Sequence, residues 1–218
     1  MHPVIIYDCE YLTASGAMSR QWCGPLDPDP NVAQIGAVKL SLGGGYDILD
    51  TFNVLIKPRD RFGRHPNVDP FFTELTGITQ ADIDREGIAH ADALERFAAF
   101  AEGANFWSWG KDELTLLAIS SYIEGLTPPI PAHRFGNAIG LILNAGTPVE
   151  DMGKMTSGRL AEYFGLETSD GRQHDALDDA MSVAVSLQHL LRSEKLTAED
   201  FALPLAVRLP QLSEHRSA

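Results

Sequence analysis

Val4-Ile5-Ile6-Tyr7, followed directly by Asp8-Cys9-Glu10, is the stretch that decides the fold. A β-branched apolar run that stops at acidic residues reads as a buried strand. Residues two apart on an extended chain point to one face. The Asp8 and Glu10 carboxyls therefore aim at a common point, about 7 Å apart at the backbone. Alone, an Asp-x-Glu triplet is weak, because an acidic turn at a strand exit gives the same three letters. Its neighbours add the weight. Val32 to Leu42 and Tyr46 to Pro58 read as two strands joined across Gly43-Gly44-Gly45, an antiparallel hairpin. Between them and the first strand, Ser15 to Asn31 carries Gly16, Gly24, Pro25, Pro28 and Pro30 and reads as a long surface loop. The first ~60 residues thus predict a three-stranded meander, with element ends good to a few residues.

Helical periodicity takes over downstream. Thr79 is placed to cap a short helix over Ala81 to Arg85, and Ala91 to Glu102 sets Leu94, Phe97, Ala98 and Ala101 on one face. Asn105 to Trp109 reads as a short aromatic strand, with a helix over Asp112 to Glu124 behind it. His133 to Phe135 reads as another strand, followed by a helix over Ala138 to Leu143. Thr147-Pro148-Val149-Glu150 has capping-box spacing, and Arg159 to Phe164 is helical up to Gly165. A last long helix runs from near His174-Asp175 to about Arg192, with Leu177, Met181, Ala184, Leu187 and Leu191 as its apolar stripe. A meander followed by alternating strands and helices is an α/β fold: a mixed β-sheet, antiparallel then parallel, flanked by α-helices.

The 218 residues suit one domain of ordinary size, and 44% hydrophobic residues are enough for a buried core. No apolar run approaches the ~18 residues that span a bilayer, and no signal-peptide pattern opens the chain. Two cysteines, Cys9 and Cys23, make no disulfide framework, so a reducing, cytoplasmic setting is expected. The net charge of −13 argues against broad duplex binding, which needs a basic face. It leaves open a partner met by a few local cations, or by metal held in an acidic site.

Two further acidic clusters stand at telling places. Phe106-Trp107-Ser108-Trp109-Gly110-Lys111-Asp112-Glu113 puts carboxylates at a strand end beside a helix N-terminus, where simple capping also favours them. His174-Asp175-Ala176-Leu177-Asp178-Asp179-Ala180 is more specific. Asp179 adjoins the apolar Ala180 and Val183 and so faces the protein body, while His174 stays in the loop before the helix, free to swing over.

Taken together, Asp8-Cys9-Glu10, the Gln34-Ile35-Gly36-Ala37-Val38 strand and His174 to Ala180 resemble the DEDDh 3′→5′ exonucleases, a family with the RNase H-like fold. The resemblance covers roughly residues 4 to 192. Leu75-Thr76-Gly77-Ile78-Thr79 is similar to the subgroup that trims histone messenger and small-interfering RNA ends. The resemblance implies an exonuclease domain over residues 1–195, with 196–218 as a C-terminal extension. It implies metal binding by Asp8, Glu10, Asp179 and one acid of the middle cluster, and His174 as general base. An imidazole, with an ordinary pKa of ~6.5, suits that task. Two Mg²⁺ or Mn²⁺ ions ~3.5–4 Å apart fit the chemistry, since carboxylates gathered so closely repel one another without cations. The expected partner is a single-stranded RNA or DNA 3′ end, and the products are nucleoside 5′-monophosphates.

For the middle acid, spacing from Gly110 selects Glu113, whereas an aspartate four residues before Leu116 selects Asp112; Asp112 is preferred because the family ligand there is an aspartate. Leu12, Leu75 and Thr76 are expected to wall the terminal-nucleotide pocket. Phe71, Phe72, Trp107 and Trp109 are candidates for base stacking, with Trp107 more readily placed in the core. Cys9 and Tyr11-Leu12 depart from the family pattern beside the terminal sugar, which leaves substrate preference open. Two competing readings are a metal-dependent phosphohydrolase built on His174-Asp175, which would need further clustered histidines, and a catalytically silent nucleic-acid-binding relative.

Overall fold

In a computed structural model of the chain, which describes residues 3–167 and 174–203, the first strand, β1, runs over Val4–Tyr11. It continues past the expected stop, so Asp8 and Glu10 lie inside the strand. The reason is pairing. β2 (Val32–Leu40) runs antiparallel to β1, with Gly36 opposite Asp8 and Gln34 opposite Glu10. β3 (Ile48–Leu55) pairs antiparallel with β2 and completes the meander. β4 (Phe106–Ser108) lies parallel to β1, and β5 (Phe135–Asn137) parallel to β4. The order β3-β2-β1-β4-β5 makes the expected mixed sheet, with β1 at its centre. A central strand is covered on both faces, which accounts for the uninterrupted apolar run Val4 to Tyr7.

The helices are α1 (Pro70–Thr76), α2 (Gln80–Glu86), α3 (His90–Ala101), α4 (Asp112–Ile123), α5 (Ala138–Asn144), α6 (Leu160–Tyr163) and α7 (Ala176–Arg192). Strand alternation distributes them. Ile5, Tyr7 and Cys9 point into a core shared with Leu94 and Phe97 of α3 and Leu116 and Leu117 of α4. Val4 and Ile6 point the other way, into a core built with Ala180, Val183 and Leu187 of α7. Asp8 and Glu10 continue that second set, so the carboxyls emerge on the α7 side of the sheet.

Gly36 sets how closely α7 approaches. A Cβ there would lie 2.1 Å from the Leu177 nitrogen and 2.2 Å from the Ala176 carbonyl carbon. The N-terminal turn of α7 therefore rests directly on β2, next to Asp8. Gly36→Ala must push that turn away. We expect a loss of about 1–3 kcal/mol in urea unfolding, the usual range for overpacking, together with weakened activity. An unchanged midpoint would mean the helix end yields freely.

Some boundaries differ from the sequence reading. α1 was not expected as a helix, although Asp69 caps it by accepting from the Phe71 N–H and Gly77 closes it at φ 79°. Thr79 forms the expected cap of α2, as one half of a capping box with Asp82. The box expected at Thr147 does not form; Val149–Lys154 is a 3-10 turn with no side-chain cap. β5 begins at Phe135 rather than ending there. Beyond residue 195, Leu196, Phe201 and Leu203 pack into the α7-side core, with Phe201 edge-on to Trp107 at 5.4 Å. Residues 204–218 lie outside the described residues. Among the described residues no helix is long and apolar enough to cross a membrane.

Candidate active site

β1 supplies Asp8 and Glu10, each 6% exposed, to a cleft of about 540 Å³. α7 supplies Asp179, also 6% exposed. The N-terminus of α7 is held by a short relay from the sheet. The Gln34 side-chain carbonyl accepts from the Ala176 N–H at 3.1 Å, and its amide donates to Asp175 Oδ2 at 2.9 Å. The other Asp175 oxygen caps the helix, accepting from Leu177 and Asp178 N–H groups at 3.0 and 3.2 Å. Because Gln34 is paired with Glu10, one strand register fixes both Glu10 and the helix that carries Asp179. Asp175 is thereby a positioning residue, with both oxygens committed.

Of the two middle acids, Glu113 is the one buried beside the other carboxyls. Glu113 is 8% exposed and its Oε2 is buried without a hydrogen-bond partner, while Asp112, one residue earlier on α4, lies exposed at the rim. The helix start explains the choice. Asp112 is the first residue of α4 and projects outward, whereas Glu113 has turned toward the sheet, within electrostatic reach of Asp8. The preference for Asp112 rested on residue type; the first helical turn leaves Asp112 at the rim of the cleft and buries Glu113 within it.

His174 stands exposed in the turn before α7 with φ 62°, a left-handed conformation that histidine tolerates better than most residues. Its backbone N–H is directed to the Asp179 carboxylate. Glu10, His174 and Asp179 each offer a ligand atom, and these atoms lie within 4.8 Å of one another. Ser157 donates to Asp179 Oδ2 at 3.2 Å. Asp179 Oδ1 is buried and unpartnered, and at Gly158 a Cβ would come within 2.3 Å of it. The 3-10 turn Ser157–Arg159 was not singled out by sequence; only packing against α7 brings it here.

Electrostatics show what the cluster lacks. Burial, then the charges of Glu113, Asp179 and Glu10, push Asp8 well above the usual carboxylate range. Burial, followed by Asp179, Asp175 and Glu113, lifts Glu10 to about 8. Glu113 rises to about 7 and Asp179 to about 6, in both cases chiefly by burial. Among the described residues none of the four is in an ion pair, and Glu113 Oε2 and Asp179 Oδ1 have no donor. A hard divalent cation is the partner that such a donor set fits.

The expected pocket walls divide. Leu75 and Phe71 of α1 line the cleft. Leu12 does not: it is 2% exposed in a small core with Phe72, Ile78 and Ile83. Leu12 follows β1, just past a register shift between Glu10 and Tyr11, and packs against α1 and α2 instead of continuing the Asp8–Glu10 face. Thr76 is also buried, donating to the Phe72 carbonyl and accepting from Ile78 N–H, and it opens on a separate shallow pocket beside Gln34. Phe72 and Trp107 are core residues, and Trp109 packs against the core.

Comparison with known proteins bears on this cleft. Residues 5–109 match the family model described as RNase T, exonuclease. The matched stretch, just under half of the chain, holds β1 to β4 and with them Asp8 and Glu10. Comparison with curated proteins finds no match. Among solved structures, the chain is similar to the nuclease domain of 3′hExo, a DEDDh family member, bound to rAMP. The identity is 20%, covering 88% of this chain and 92% of that one, at a TM-score of 0.71. It is similar to cell-death related nuclease 4 at 20% identity, covering 88% and 64% of the two chains, with a TM-score of 0.65. E. coli exonuclease I in complex with a dA16 oligonucleotide is similar at 17% identity and a TM-score of 0.58, over 88% of this chain and 41% of that one. These likenesses establish the RNase H-like exonuclease fold, with the four acids and His174 at one end of its sheet.

Proposed function

We propose that this chain is a divalent-metal-dependent exonuclease that removes nucleotides one at a time from the 3′ end of single-stranded nucleic acid, RNA favoured. The observation that carries the reading is the convergence of Asp8, Glu10, Glu113 and Asp179 in one cleft, buried and without an ion pair among the described residues, with His174 exposed beside them. The structural relatives lend direction to it: one is bound to rAMP and one is in complex with a dA16 oligonucleotide.

In this reading the four carboxylates hold Mg²⁺ or Mn²⁺, two ions by the number of donors. When bound, such ions neutralise the scissile phosphate and acidify a water. His174 takes the proton of the attacking water; its exposure lets the imidazole reach solvent, and the backbone bond to Asp179 fixes where the loop begins. Asp175 and Gln34 keep Asp179 in place. Leu75 and Phe71 face the terminal nucleotide across the cleft. The thiols of Cys9 and Cys23 are free, which suits a reducing compartment such as the cytoplasm.

The test is a time course on 5′-labelled RNA and DNA oligomers with Mn²⁺ or Mg²⁺. A ladder of products shortened singly from the 3′ end is expected, with 5′-monophosphates released and a stall on oligomers ending in a 3′-phosphate. Internal fragments at early times would contradict the proposal.

A further inference from the structure

Beside the cleft lies a second, larger groove of about 880 Å³, within the ~300–1,000 Å³ range of ligand sites. One wall is the loop between β1 and β2, through Met18 and Trp22; the other is α4, through Ile119 and Tyr122; Arg61 stands at the edge. Building on the exonuclease reading above, we propose that this groove holds the single strand leading up to the 3′ end, its bases against Trp22 and Tyr122 and a phosphate against Arg61.

Three observations carry it. The groove is continuous with the cleft, since Tyr11, Met18 and Asp112 line both. A strand whose end lies among the carboxylates must leave along a connected surface, and this one is connected. Second, its chemistry is that of a base-stacking platform. Tyr122 is 87% exposed and Met18 is 65% exposed, an unusual exposure for apolar side chains with no partner. Trp22 packs at a tilt of 60° against Tyr11, with ring centroids 5.6 Å apart, and donates its indole N–H to the Leu12 carbonyl at 3.3 Å. Third, the adjoining turn Arg59-Asp60-Arg61-Phe62-Gly63-Arg64 gathers three arginines in a chain of net charge −13. Arg61 pairs with Asp29 yet its side chain stays 64% exposed, so its fork keeps outward donors for a phosphate.

The wall is also built in advance. Arg20 donates to the Ser15 carbonyl at 2.9 Å and to Asp27 at 2.6 and 3.1 Å, and Gly24 N–H donates to Asp27 at 2.8 Å. A loop stitched in this way presents Trp22 with little ordering left to occur on binding.

The experiment compares two substrates on the full chain with Mn²⁺: a nucleoside 5′-monophosphate p-nitrophenyl ester, which reaches only the cleft, and a ten-nucleotide RNA. In the double variant Trp22→Ala, Tyr122→Ala, KM for the ten-nucleotide RNA is expected to rise tenfold or more, as the loss of stacking predicts, with ester hydrolysis unchanged. Trp22→Phe should retain most of the RNA affinity, and Arg61→Gln should flatten the salt dependence of RNA binding. Unchanged KM for RNA in the folded double variant would overturn the proposal and leave the groove to a protein partner. Equal losses on ester and RNA would overturn it too, as an effect on the cleft. If the wild type cleaves neither substrate, the exonuclease reading fails. Fluorescence anisotropy with the labelled ten-nucleotide RNA then decides the groove: tenfold weaker binding by the double variant supports it, and equal or absent binding overturns it.

Discussion

Glu113→Gln is expected to lower kcat/KM by about a thousandfold, some 4 kcal/mol at the barrier, while Asp112→Asn stays close to wild type. The two residues are adjacent on α4, but only Glu113 turns its carboxyl into the buried cluster. Its Oε2 lacks any hydrogen-bond partner, and its charge is the first after burial to raise Asp8. Glutamine keeps the shape and removes the charge, so the helix start survives and cation affinity does not. The same substitution should stabilise the metal-free fold, because it relieves repulsion within the cluster. Single-turnover kinetics and a thermal melt of both variants decide the matter. A large loss in Asp112→Asn with little in Glu113→Gln would return the role to the exposed rim residue.

His174→Ala should cost about 10²–10⁴-fold in kcat, the usual worth of a positioned general base, with the fold intact. The side chain is exposed and makes no core contact, so its removal leaves no cavity. Added imidazole should restore part of the lost rate, since the site it would enter is open to solvent. Loss without rescue, accompanied by loss of Mn²⁺ affinity, would instead make His174 a ligand, a role its 4.8 Å grouping with Glu10 and Asp179 also allows.

Much of this arrangement was legible in the residues. The Val4 to Glu10 run announced a buried strand and two carboxyls on one face, and the structure delivers both. Asp179 was placed inward by its apolar neighbours, and it is buried. Rotational phase at element ends was harder to read. Asp112 and Glu113 differ by one residue, about 100° around a helix, and nothing in composition says where the first turn starts. Leu12 stands two residues past Glu10, where regular alternation would keep it on the acidic face, but a register shift after Glu10 carries it into a core that α1 and α2 complete. The Ser157–Arg159 turn carries no signal of its own; its place beside Asp179 exists only once α7 is packed. Asp175, plainly visible in His174-Asp175, proves to be a helix cap shared with Gln34 across more than a hundred residues of chain.

The claim beneath all of this is that four buried carboxyls form a divalent-cation site. Titration calorimetry of the chelator-treated chain with Mn²⁺, run at several pH values in two buffers, tests it without any choice of substrate. Carboxyls raised to about 8, 7 and 6 at Glu10, Glu113 and Asp179 hold protons near neutrality. A cation must displace those protons, so affinity should climb with pH between 6 and 8. Release of about one proton or more per binding event corresponds to a gain of about tenfold or more per pH unit. The expected result is binding of two equivalents with proton release, lost in Asp179→Asn. Absence of binding, or binding that is pH-independent and survives Asp179→Asn, would contradict the account.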